Sequence, residues 1–205
     1  MGLSGWVHGR IVYGRRVERL VNHLAGLVPD GSRVLDVGCG DGLISSLISQ
    51  RTPGISMCGI DVLVRPDTHI RVEPFDGRKI PFGNGAFDVV LFVDVLHHTQ
   101  DPLVLLQEAS RVAKQAIIIK DHLLEGLLSH PTLRFMDRVG NIRHGVSLPY
   151  NYMTRQQWML AIQQVGWQAD VWKEDLALYP WWADWLFGRS LHFVAKFSKK
   201  TLRRG

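Results

Sequence analysis

The sequence predicts a doubly wound α/β domain with a mostly parallel sheet, and three observations carry that expectation. Short apolar runs alternate with amphipathic helical patterns along most of the chain. A glycine-rich turn, Gly38-Cys39-Gly40-Asp41-Gly42, stands between the first apolar run and a helical pattern, the order that opens a nucleotide-binding βαβ unit. The run Phe87-Asp88-Val89-Val90-Leu91-Phe92-Val93 is too continuously apolar for a half-exposed strand and reads as a central parallel one. At 205 residues one domain spanning 1–205 is the expectation.

Taken in order, residues 15–28 place Val17, Leu20, Val21, Leu24, Leu27 and Val28 at helical spacing, and Pro29-Asp30-Gly31 stops that helix. Arg33 to Val37 is strand-like, residues 43–49 resume a helical pattern, and a second strand over 56–62 carries Asp61 near its end. After the strand at Phe87 comes a helix over 102–113, capped by Asp101 with Pro102 in its first turn, and a strand over 116–120. About thirty residues, the insertion 122–152, then precede a helix over 154–165. A stretch that long inside a compact domain is expected to hold helical pieces and to cover the substrate. Two last strands, near 169–173 and 192–197, flank an aromatic segment at 179–187, read either as sheet cover or as a wall for an apolar ligand or membrane surface.

Composition narrows the classes. Hydrophobic residues at 46% and charged residues at 21% give an ordinary globular balance. Neither a signal-like h-region at the start nor an apolar stretch approaching the roughly 20 residues of a membrane span is seen, so the expected location is the cytoplasm. The two cysteines, Cys39 and Cys58, make no disulfide framework, and no Cys/His pairing along the sequence suggests a metal, so none is expected. Net charge is +5, with basic groups at Arg10, Arg15, Arg16 and Arg19 and at Lys199, Lys200, Arg203 and Arg204. Such clusters suit RNA or an acidic surface, or are a solvated helix face and a tail.

The glycine turn allows close backbone approach to a ligand, and Asp61, about twenty residues on at a strand end, suits ribose hydroxyls. Together they point to an adenosine cofactor. A nicotinamide dinucleotide would ask for a third glycine at position 43, which is Leu43.

Val34-Leu35-Asp36-Val37-Gly38-Cys39-Gly40-Asp41-Gly42 resembles the first motif of the class I S-adenosylmethionine-dependent methyltransferases, in the form of their small-molecule branch. Phe75-Asp76-Gly77 resembles the turn whose Asp meets the adenine amine, and the run from Phe87 through Leu96-His97-His98 resembles the fourth strand and its following loop. The likeness covers residues 15–121. It implies a seven-stranded sheet with an antiparallel closing strand and S-adenosyl-L-methionine as cofactor. It places Asp36 toward the methionine ammonium, Gly38 and Gly40 under the ligand, Asp61 on the ribose and Asp76 on the adenine, with Val62, Phe75, Gly77, Val93 and His98 around them. The plainer alternative for Asp36 and Asp76 is service in turns and caps.

Methyl transfer from a sulfonium needs in-line positioning, and a base only if the acceptor must lose a proton. His97, His98 and His144 are the candidate catalytic groups. Asp121, His122, Asn141, His144 and Tyr152 are the candidate acceptor contacts, because they follow a strand end or lie in the insertion. Asp94-Val95-Leu96-His97 stands where enzymes of nucleobase amines carry Asn or Asp followed by Pro-Pro-aromatic, which argues against that subclass. A small organic acceptor is the leading expectation, RNA or protein methylation the alternative, and a noncatalytic S-adenosylmethionine-binding or adaptor protein the second alternative.

Overall fold

The computed structural model describes residues 3–141, 149–180, 184 and 190–200, with the side chains of 3–13 and 139–141 left aside. Its elements are α1 (Leu3–Ala25), β1 (Arg33–Val37), α2 (Leu43–Arg51), β2 (Ser56–Asp61), β3 (Val72–Pro74), β4 (Phe87–Val93), α3 (Pro102–Val112), β5 (Ala113–His122), α4 (Ser129–Asn141), α5 (Arg155–Gln164), β6 (Trp167–Lys173) and β7 (His192–Lys199). A 3-10 turn, Leu96–His98, sits between β4 and α3.

The seven strands form one sheet in the order β3-β2-β1-β4-β5-β7-β6. Every pairing from β3 to β5 is parallel, while β7 runs antiparallel to both β5 and β6. Six strands thus share one direction, and β7 is the antiparallel closing strand. Strand order reverses between β1 and β4, so the crevice beyond their carboxyl ends is where an open α/β sheet binds ligands.

The period of two along the strands sorts the core into two layers. Leu35, Val37, Val90, Phe92, Ile117, Ile119, Phe193 and Phe197 face one side, against Leu105, Leu106 and Ala109 of α3 and Trp158 and Ile162 of α5. Val34, Val89, Leu91, Ala116, Ile118 and Val194 face the other, against Leu20, Val21 and Leu24 of α1 and Ile48 of α2. Both faces are apolar because both are covered, which is why β4 and β5 read as continuous hydrophobic runs.

Asp101 caps α3, accepting from Leu103 N at 2.9 Å, and Thr154 caps α5 through a reciprocal bond with Gln157. The expected start of the first helix at residue 15 is corrected: α1 begins at Leu3. Gly5, Gly9 and Gly14 weaken helix propensity there and hid the extension. The strand expected over 116–120 is longer, running from Ala113 to His122. The insertion does hold a helix, α4. Of the aromatic segment at 179–187, only Tyr179, Pro180 and Asp184 fall among the described residues.

Candidate active site

The glycine turn between β1 and α2 is built on left-handed backbone. Gly38 has φ 74° and Gly40 φ 61°, a region that L side chains rarely adopt. Their reasons differ. A Cβ at Gly38 would come within 2.6 Å of Val95 Cγ2, so this glycine lets the loop after β4 pack onto the turn. A Cβ at Gly40 would instead meet the Arg65 guanidinium at 3.3 Å.

Asp61, at the end of β2, braces this turn. Its Oδ2 accepts from Gly40 N at 2.8 Å and its Oδ1 from Leu63 N at 2.9 Å. Each oxygen retains lone-pair capacity for a further donor. Asp36, in β1, is buried, and its Oδ2 accepts from Ser45 Oγ at 2.6 Å. Asp36 Oδ1 is a buried acceptor with no partner. Burial pushes the Asp36 carboxyl up to about 7, the Ser45 hydrogen bond opposes that, and the charge of Asp61 adds to it.

A cleft of about 530 Å³ opens beyond the carboxyl ends of β1, β2 and β4. Of the residues expected at the cofactor, Gly38, Gly40, Asp61, Val62, Phe75, Gly77 and His98 line it. Asp36, Asp76 and Val93 do not. Asp36 is buried in β1 with its carboxylate on Ser45 of α2, and Asp76 is a turn cap at the rim, its Oδ1 accepting from Arg78 N and Lys79 N at 2.8 and 2.7 Å. Those two amides also lower its carboxyl below the usual range, Lys79 more than Arg78. The wall also holds Arg65, Arg78, Thr99 and Gln100, which the sequence reading passed over, and Asp101, which it read only as a helix cap. Following the chain past the ends of β2 and β4, where the crevice had to be, was the signal that would have found them.

The other expected residues gather behind this wall. His97 is buried between two carboxylates, with Nδ1 2.5 Å from Asp121 Oδ1 and Nε2 3.4 Å from Asp137 Oδ2. Burial alone would lower its pKa, but the charge and hydrogen bond of Asp121, then Asp137, outweigh burial and hold it up at about 10. His122 packs edge-on to His97, ring centroids 4.4 Å apart, and burial together with the His97 charge lowers its pKa. Tyr152 Oη donates to Asp137 Oδ2 at 2.5 Å. Asp121, His122 and Tyr152 therefore do not wall the cleft: they form a buried polar cluster with His97. His98, which does line the cleft, has its pKa pushed down to about 4, mainly by burial and then by the His97 charge, so it is neutral at physiological pH. His144 lies outside the described residues, and of Asn141 only the backbone, at the end of α4, is described.

An ion pair of one enclosed and one partly exposed partner stands beside this cluster, with Asp94 reaching the cleft wall. Lys120 of β5 is fully enclosed and its Nζ donates to Asp94 Oδ1, while Arg16 of α1 reaches Asp94 Oδ2 at 2.9 Å. Arg16 thus leaves the basic face assigned to it and joins an internal ion pair.

A sequence profile described as a methyltransferase domain matches residues 8–171. The chain belongs to this methyltransferase-domain family. The ubiquinone biosynthesis O-methyltransferase of Pseudomonas aeruginosa is 33% identical over 106 residues, 46% of this chain and 44% of that protein. The 27-O-demethylrifamycin SV methyltransferase of Amycolatopsis mediterranei is 32% identical over 110 residues, 47% of this chain and 40% of that protein. The chain therefore aligns with less than half the length of either relative. An S-adenosylmethionine-dependent methyltransferase from Mesorhizobium loti shares the fold, with a TM-score of 0.63 at 16% identity over 87% of this chain and 96% of that one.

The cofactor that goes with this methyltransferase-domain family is S-adenosyl-L-methionine, and the residues present fit it. A cleft at the switch point offers the Asp61 carboxylate for hydroxyls and the Gly38 and Gly40 backbone on its wall, and outside that lining Asp36 keeps a buried carboxylate oxygen that lacks a donor. Among the described residues no helix is long and apolar enough to cross a membrane.

Proposed function

We propose that the chain transfers a methyl group from S-adenosylmethionine to an oxygen of a small organic acceptor. The observation that carries this reading is the switch-point cleft, in which the glycine turn and Asp61 are already bonded into one rigid unit beside the neutral His98. Bound there, the cofactor would supply an activated methyl on a sulfonium. Asp61 would take the ribose hydroxyls, Phe75 and Gly77 would border the adenine, and Asp36 would offer its unpartnered oxygen toward the ammonium. His98 would accept a hydrogen bond from an acceptor hydroxyl on the cleft wall, orienting it for in-line approach. With its pKa near 4, His98 is suited to orientation more than to taking a proton away from a weak acid.

A small acceptor is favoured by the relatives, whose names give O-methylation in ubiquinone biosynthesis and methylation of a demethylrifamycin. The tie between Arg16 and Asp94 takes one member out of the basic set that would favour RNA. The test is calorimetry with S-adenosylmethionine, S-adenosylhomocysteine and NAD, followed by turnover on a panel of phenols and alcohols. Binding of the two adenosyl ligands and methylation of a panel member is the expected result. NAD binding without S-adenosylmethionine binding would overturn the cofactor, and turnover on RNA alone would overturn the acceptor.

A further inference from the structure

The buried cluster behind the cleft wall contains more ligating chemistry than the function above uses. His97, His98 and Asp137 each bring one ligating atom to within 4.8 Å of the other two. The first two come from the 3-10 turn after β4 and the third from α4, so the loop after a central strand and the insertion meet at this point.

The orientation of His97 is settled by its neighbours. Asp121 Oδ1 holds Nδ1 at 2.5 Å, and that carboxylate is itself fixed by Leu96 N at 3.0 Å and His122 N at 2.7 Å. Its other nitrogen, Nε2, is buried without a well-formed hydrogen bond, and Asp137 Oδ2 stands 3.4 Å away. His97 as a whole is 1% exposed. Nδ1 of His98 is likewise buried and makes no hydrogen bond. A carboxylate on one ring nitrogen, with the other making no well-formed hydrogen bond, is the arrangement that orients a metal-ligating histidine, and an ion on Nε2 would displace the proton that Asp121 and Asp137 hold on the ring. Two histidine nitrogens and one carboxylate form a three-ligand set that leaves coordination positions open.

We propose that His97, His98 and Asp137 bind a divalent transition-metal ion, of the class of Zn²⁺, Mn²⁺ or Fe²⁺, against the inner wall of the cleft. The other possible set, His97 with Asp121 and His122, also has its atoms within 4.8 Å of one another. It would use the His97 nitrogen already hydrogen-bonded to Asp121, so Asp121 serves as the orienting group and not as a ligand. Asp137 keeps its bond to Tyr152 Oη, which holds the carboxylate toward the histidines. Because His98 lines the cleft, an ion on its buried nitrogen lies one side chain from the acceptor space, and its open positions would take an oxygen of the acceptor in place of the hydrogen bond to the His98 ring. That last consequence rests on the function proposed above; ion binding itself does not.

The test uses the full chain, stripped with a chelator and titrated with Co²⁺ as a spectroscopic probe, then with Zn²⁺ in competition. One equivalent of Co²⁺ should bind with ligand-field bands in the visible, and Zn²⁺ should displace it. His98→Gln and Asp137→Asn should each weaken uptake by about tenfold or more, while His69→Ala, an exposed histidine elsewhere, should not. Asp137 is buried, so its variant is judged only with an unchanged melting temperature; His98→Gln, on the cleft wall, keeps the test decisive if Asp137→Asn fails to fold. No stoichiometric uptake by the unmodified chain, or uptake undiminished in His98→Gln, overturns the proposal. Binding of S-adenosylhomocysteine is measured on the same samples. Cofactor binding without metal uptake removes this inference and leaves the proposed function standing, and the reverse result does the opposite.

Discussion

Asp61 is held in place before any ligand arrives, since both of its oxygens already accept backbone amides at 2.8 and 2.9 Å. Replacing it by Ala removes the acceptors proposed for the ribose, at about 1.5–3 kcal/mol for each charge-assisted hydrogen bond, and also frees Gly40 N. Asp61→Ala should therefore weaken S-adenosylmethionine at least about tenfold in calorimetry, and Asp61→Asn, which keeps one carbonyl oxygen, should weaken it less. Equal affinity in all three proteins would remove Asp61 from the cofactor site. Asp36 gives a second prediction, through pH. Its folded pKa is raised from 3.8 to about 7, so the folded apoprotein favours the protonated carboxyl, and that contribution to stability is present in acid and lost as pH rises through about 7. A cationic ligand group at Asp36 requires the ionised form. Cofactor affinity should then fall as pH drops below about 7, by up to about tenfold per unit, and Asp36→Asn should flatten the profile while lowering its plateau. A profile identical in wild type and Asp36→Asn between pH 5 and 8 would leave Asp36 as a purely structural partner of Ser45.

Among the elements, the loop after β4 and the turn after β1 form one unit through Gly38 and Val95. Gly38→Ala puts a Cβ within 2.6 Å of Val95 Cγ2 and forces Ala into a φ of 74°. Strain of about 1–2 kcal/mol for the left-handed backbone and about 1–3 kcal/mol for overpacking should add. Urea unfolding should show Gly38→Ala destabilised by roughly 2–5 kcal/mol, with Val95→Ala in the same chain recovering the overpacking part but not the dihedral part. The same reasoning explains what was legible. Positive φ demands glycine, so the turn announced itself in the sequence, and β4 and β5 did so because both faces of a central parallel strand are buried. β3 is three residues long with only partial burial and carries no period to read. The cleft was legible where one turn builds it, at Gly40 and Asp61. His97, Asp121 and Tyr152 each showed chemistry in the sequence, but only the packing of β5 and α4 against the loop after β4 shows that they share one buried cluster with Asp137.

At the scale of the molecule, Asp94 is where α1, the end of β4 and β5 are tied together. It holds φ 57°, its amide donates to Lys120 O at 2.9 Å, and its carboxylate takes both Lys120 and Arg16. Lys120 closes the strand expected over 116–120, and its side chain is fully enclosed. Burial lowers its pKa and the Asp94 charge opposes that, while Lys120 and Arg16 together outweigh burial to hold the Asp94 carboxyl well below its ordinary value. The two cations are not equivalent. Arg16 is 29% exposed, and water screens its share of the interaction, so Arg16→Ala should cost no more than about 1 kcal/mol from the ion pair. Lys120→Met removes the enclosed partner, leaves much of the Asp94 charge without compensation, and takes away the ammonium that stands 3.4 Å from His192 Nδ1. That change should cost about 3–5 kcal/mol, the cost of breaking a buried pair from one side. Adding Asp94→Asn to Lys120→Met removes the stranded charge, so the double variant should be more stable than the sum of the single effects requires, by about 1–3 kcal/mol. Urea denaturation of wild type, both single variants and the double variant measures this directly. Simple additivity would mean that Lys120 and Asp94 are not coupled.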